Sequence, residues 1–193
     1  MWRPIAMLVL LMETPGSPAF AHTGVGAAHS FASGLAHPLG GIDHMLAMIA
    51  VGLWAVVAGG RTIWILPTTC VATRLAGFAV ARLSVPMPFV EPVILSSVVV
   101  LGLLVALAVK APLVLGAAIA GSFKFFHGHA HGAEATSTGL IASAAGFALA
   151  TAALHAMVIG FALLAEASIG RTALRAMGGL AVLGGIALIA GMP

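Results

Sequence analysis

Residues 37–55 read HPLGGIDHMLAMIAVGLWA. Two histidines and an aspartate stand at the mouth of an otherwise apolar segment. Pro38 suits the first turn of a helix, and Gly40 and Gly41 permit close backbone approach. A helical repeat of about 3.5 residues lines up His37, Gly41, His44, Met48 and Ala55 on one face, with Gly52 close by. Asp43 lies about 100° round from His44. Imidazole and carboxylate together suit a divalent transition metal. An ionisable side chain costs about 2.5–3.5 kcal/mol at the centre of a membrane helix and less near its ends. Packing alone is therefore a poor account of His37, Asp43 and His44 so close together. The structural alternative is a polar knot that ties this helix to its neighbours, with Asp43 holding a histidine.

The rest of the chain extends the apolar character. Of 193 residues, 61% are hydrophobic and 7% charged, and the mean hydropathy is +1.16. A soluble domain carries about a quarter charged residues. So few charges cannot cover a globule, and the class is an all-α, polytopic membrane helix bundle. The 8 Lys and Arg stand against 5 Asp and Glu and are scattered singly. They read as topology signals, not as a nucleic-acid patch. The one cysteine, Cys70, excludes an intrachain disulfide and a Cys-x-x-Cys metal site. No G-x-x-x-x-G-K-[ST] occurs, so neither a nucleotide site nor an ATPase function is indicated.

Residues 1–21 read as a secretory signal, with Arg3, a short apolar core and an Ala19-Phe20-Ala21 cleavage site; the alternative is an uncleaved amphipathic anchor. Cleavage there would leave His22 as the first residue, where a free amine beside an imidazole can chelate metal. Residues 22–36 read as a short interfacial or re-entrant piece, and His29 as a loop histidine near the metal mouth. Residues 22–193 then form a single transmembrane domain. Six spans are expected, at about 39–57, 63–81, 90–109, 112–126, 138–165 and 172–190, each near the ~20 residues that cross the hydrocarbon. With the mature N-terminus in the periplasm, Arg61, Lys110, Arg171 and Arg175 fall on the inner side and Arg82 and Lys124 at outer helix ends, in keeping with the positive-inside rule. That orientation collects His37, Asp43, His44, Glu91 and the run at 127–131 on the outer face.

Histidine-rich tracts commonly bind metal. The stretch 126–134, FHGHAHGAE, is expected as an outer loop that captures it. Extended, it would set His127, His129 and His131 on one side; helical, it would leave His127 and His131 sharing a face. Glu91 reads either as an oxygen ligand or as a carboxylate at a helix start, where the dipole favours it. Met48 is packing or a rung below His44. His155, one turn from Thr151, is a satisfied core histidine or another rung, since an imidazole inside a membrane needs a partner.

The filled pattern H-P-x-x-G-x-D-H-x-x-x-M-x-x-V-G-x-x-A, at His37, Pro38, Gly41, Asp43, His44, Met48, Val51, Gly52 and Ala55, resembles the signature of the HupE/UreJ family of membrane proteins. The segments around Glu91, His127 and His155 also resemble that family. The resemblance implies an inner-membrane permease for Ni2+, or for Co2+, as transported ion, with a link to hydrogenase or urease maturation. It implies no catalytic cofactor and no enzyme activity. The partners expected are a divalent metal ion and the lipid bilayer, with no nucleic acid and no ATPase subunit. Arg74 departs from the pattern. Apolar residues are expected there, and a cation in the bundle repels a passing metal unless it pairs with an acid or snorkels outward. Two further readings come from other classes. One is an intramembrane metal-dependent hydrolase, or an accessory metal-binding protein for metalloenzyme maturation; the hydrolase needs three protein ligands at one point. The other is a haem protein with two histidines on facing helices.

Overall fold

The computed structural model describes residues 30–135 and 139–191. The signal expected at 1–21, His22 and His29 lie outside them. The described residues form helices without strands: α1 (Phe31–Ala36), a 3-10 turn (His37–Leu39), α2 (Ile42–Ala58), α3 (Thr62–Arg82), α4 (Val90–Ala106), α5 (Leu113–Glu134), α6 (Leu140–Ile169) and α7 (Arg171–Ile189). Short connections make α2 to α7 an up-and-down bundle. The all-α membrane bundle expected from composition is the fold.

The first span begins later than its pattern suggests. Ser30 and Ser33 cap α1 reciprocally, and the 3-10 turn carries Pro38 near its start. Gly41 then adopts an extended conformation (φ −124°, ψ 126°) and becomes the N-cap of α2. The Gly40-Gly41 pair thus breaks the helix, and α1 with its turn is bent 79° from α2. His37 therefore lies in the turn and not on the α2 stripe with His44 and Met48. Of residues 22–36, the described part is this short bent arm, which is packed on α6.

α2 is the central helix, with almost every residue from Ala47 to Val57 buried. It packs against α3, α4, α6 and α7. Trp54 donates to the Val109 carbonyl at 2.9 Å, which ties α2 to the α4–α5 loop. The tightest pairs are α3 with α5 and α4 with α7, and small residues make both. A side chain at Gly128 would run into the carbonyl of Arg74, and one at Gly77 into that of Phe125. Gly102 and Gly178 play this part between α4 and α7. Cys70 is buried in the α3–α5 seam, its thiol 3.9 Å from the Ala120 carbonyl.

The outward faces are apolar, with Trp64, Val114 and Ile141 among the most exposed side chains, as a lipid-facing surface requires. By length and composition α3, α6 and α7 can cross a membrane, and the bent pair of α1 and α2 adds a fourth. α4 is shorter, at 17 residues. α5 has 22 residues but ends in a polar stretch. It was expected to stop at Phe126; instead it runs two turns further, because Gly128 and Gly132 let its last part lie directly on α3. The tract at 127–131 is thus helical and not an outer loop. Arg61, Lys110, Arg171 and Arg175 are exposed at or near one end of the bundle, and Arg82 at the other. Lys124, expected at an outer helix end, is instead buried in the interior.

Candidate functional site

The bend before α2, the last turns of α5 and the first turns of α6 meet at one end of the bundle. His37 Nε2 and His131 Nδ1 lie 2.8 Å apart, one ring donating its N–H and the other accepting, with ring centroids at 4.4 Å. The His44 ring is 5.3 Å from His127 and 5.6 Å from His131. The bend places His37, α2 places His44, and the helical spacing of four in α5 stacks His127 and His131 on one face. Phe147 of α6 closes the cluster, with its ring 5.5–5.9 Å from those of His37, His44 and His131. The sequence reading missed Phe147. Its signal was the Gly146 beside it, which brings α6 against the Phe31 carbonyl of α1.

Deeper in the bundle the imidazoles are oriented by their own helices. His127 donates Nδ1–H to the Phe123 carbonyl, and His155 to the Thr151 carbonyl, both at 2.9 Å. A neutral imidazole that donates through Nδ1 carries its lone pair on Nε2. Both Nε2 atoms are buried and have no hydrogen-bond partner, as is true of the Thr151 hydroxyl. Each is thus a fixed nitrogen donor aimed into the bundle interior, with the carbonyl bond setting the tautomer as it does for metal-ligating histidines.

Two cations intrude. Arg74 is 3% exposed and its guanidinium lies over the Phe147 ring, 3.3 Å from the centroid. Its Nη1 donates to His44 Nε2 and so occupies the coordinating nitrogen of that ring. Arg74 Nη2 and Lys124 Nζ have no partner. Asp43, half-buried at the start of α2, is within electrostatic reach of both cations. It forms no ion pair with either: among the described residues the only salt bridge is Arg171–Glu166, at 3.0 Å. Arg74 therefore neither snorkels outward nor pairs with an acid. Unit charges about 6 Å apart interact by about 3 kcal/mol at an effective dielectric constant near 20, so both side chains oppose a free divalent ion at His44.

The remaining candidates scatter. His129 points away from the cluster and donates to the Val85 carbonyl at 2.8 Å, so the three histidines of the tract do not act together. Glu91 is exposed and lines a shallow groove with Pro92, Leu95 and Ile189. Met48 is buried on α2, one turn below His44. Among the described residues no three His, Cys, Asp or Glu side chains converge on one point where a metal ion could be held. The cluster is a succession of pairs and single donors, not a closed coordination shell.

Comparison with known sequences covers nearly the whole of this arrangement. A family model described as HupE / UreJ protein matches residues 8–188. The chain belongs to the HupE/UreJ family. Protein HupE of Rhizobium leguminosarum bv. viciae is 41% identical over 179 residues, covering 90% of this chain and 92% of that protein. No solved structure gives a significant match. In this HupE/UreJ protein the signature residues occupy the bend and the central helix. His37 and Asp43 stand at the rim, His44 and Met48 further in, and Gly52 packs against Val158 of α6. Side chains from α5 and α6 complete the surroundings.

Proposed function

We propose that this HupE/UreJ protein is an inner-membrane permease that carries Ni2+, with Co2+ as the other candidate ion, inward through a bundle of six spans. The observation that carries the reading is the pair of buried imidazoles, His127 and His155, whose Nε2 lone pairs are fixed toward the interior and bound by nothing. A transported ion needs donors that can be exchanged in turn, and a line of single nitrogens suits this better than a closed shell does. His37 and His131 form the entry pair. Their 2.8 Å separation is close to the ~3.0 Å between donors at adjacent corners of a square-planar or octahedral ion with bonds of ~2.1 Å. Asp43 contributes the negative charge that offsets desolvation of the ion. His127 and His155 receive it in order, with His44, whose Nε2 Arg74 engages, and the soft Met48 sulfur beside the path. An inside-negative membrane potential favours entry by about 2.3 kcal/mol per charge per 100 mV, hence doubly for a divalent ion. The metal is cargo, and the proposal includes no catalytic step. Hydrogenase or urease maturation is the proposed consumer of the ion.

The test is initial uptake of Ni2+, Co2+ and Zn2+ into proteoliposomes, with and without an imposed potential. Ni2+ or Co2+ uptake should rise with the potential and fall at least tenfold in His155→Ala. Normal uptake in both His127→Ala and His155→Ala would sink the route.

A further inference from the structure

Two fixed cations in the interior are out of place beside a path for a cation. Lys124 is fully buried and its Nζ has no partner; Arg74 is nearly so, and its Nη2 has none. The fold brings them within electrostatic reach of one another. The Arg74 carbonyl lies against Gly128, one turn beyond Lys124 on α5. His127, three residues after Lys124, faces His44, which the Arg74 guanidinium engages. No carboxylate is bonded to either cation among the described residues. His127 and His155 present neutral lone pairs rather than N–H groups toward the interior, so they add no positive charge and supply no negative charge. A buried guanidinium and ammonium with N–H donors to spare are the groups that hold anions in proteins.

We propose that Arg74 and Lys124 form a binding site for a small anion, a halide or a carboxylate, in the bundle core beside the imidazoles. The anion accepts from Arg74 Nη2 and Lys124 Nζ. It also lies between these charges and an ion held at His127, and so removes the repulsion they would exert. A carboxylate can arrive free or as part of a chelate that carries the metal. The site itself stands on the two cations and does not depend on the transport reading.

Thermal unfolding of the purified full-length protein in detergent with EDTA tests it, at constant ionic strength, as a bulky morpholine sulfonate is replaced by chloride or acetate. The expected result is a saturable rise of several degrees with chloride or acetate. The rise should be absent in Lys124→Gln and retained in Lys110→Gln, which alters an exposed cation. A parallel arm without EDTA compares nickel citrate with citrate alone and with nickel in the sulfonate. A rise with nickel citrate alone, lost in Lys124→Gln, assigns the carboxylate of a chelate. If Lys124→Gln does not fold, Arg74→Gln takes its place. Equal midpoints for the wild-type protein in chloride, acetate, nickel citrate and the sulfonate overturn the site, and so does a rise that survives in the variant. Because the chloride and acetate series contains no metal, its result is separate from the fate of the permease reading.

Discussion

His127 and His129 are separated by one residue and are both buried, but their rings meet different partners. His127 is buried with a lone pair toward the interior, while His129 ties the α3–α4 loop to α5 through Val85. His129→Ala should therefore cost about 1 kcal/mol of stability, the worth of one hydrogen bond, and leave nickel uptake unchanged. His127→Ala should reduce uptake at every metal concentration, including saturation. Uptake of radioactive nickel by cells, with protein amounts checked by blot, separates the two; equal loss from both would return the tract to the role of a surface trap. Arg74 is the second residue whose neighbours decide its behaviour. It has no acid partner and it occupies His44, so Arg74→Met removes an unpaired buried charge and frees a nitrogen donor. In a sulfonate buffer, where the proposed anion site is empty, the variant should be no less stable than the parent, and up to about 3 kcal/mol more so; its uptake at low nickel should be faster. A marked fall in its unfolding midpoint would mean that Asp43 relies on the guanidinium after all.

At the scale of elements, the contact of α3 with α5 governs where the site lies. A Cβ at Gly128 meets backbone, the carbonyl of Arg74, and backbone cannot swing aside. Gly128→Ala should cost about 1–3 kcal/mol through overpacking and displace His127. Gly179→Ala, inside α7 and where a Cβ meets nothing within 4 Å, should stabilise by up to about 1 kcal/mol through helix propensity. Unfolding midpoints of the two variants check the contrast. The same contact explains what the sequence did and did not disclose. The apolar runs located the six helices α2 to α7, though not α1, since a membrane span must satisfy its own backbone. The grouping of His37, His44 and His131 at one end followed from alternating spans. The end of α5 was not legible, because a polar tract reads as loop unless a partner helix is known to cover it. Gly121, Gly128 and Gly132 carried that information as spacing. Once the helix is extended, Lys124 moves from the membrane edge to the core. The break at Gly41 was hidden for the converse reason: a repeat of about 3.5 residues fits the segment whether or not the chain turns there.

For the whole molecule the testable quantity is orientation. Four cations are exposed at one end against Arg82 at the other, and under the positive-inside rule we propose that the histidine end faces outward. Gly132 is packed on Phe78 and Ala81, so a reporter inserted there would disrupt α5. Gly139, beyond the helix end and with φ +71°, is the better junction. Fusions truncated at Gly139 and at Pro193 should both report the periplasm, and one at Gly60 the cytoplasm. A cytoplasmic signal at Gly139 would invert the direction of entry.

The burial of Cys70 gives the molecule a chemical blank slate. The chain has one thiol, and it is wholly shielded in the seam of α3 and α5. A maleimide added to the native protein should leave it unmodified. A cysteine introduced at an exposed position such as Leu39 or Leu107 can then be tagged without background, and a membrane-impermeant reagent reads from which side it is reached. When the seam opens on denaturation Cys70 itself becomes reactive, so the rate of its alkylation follows unfolding directly in the native membrane.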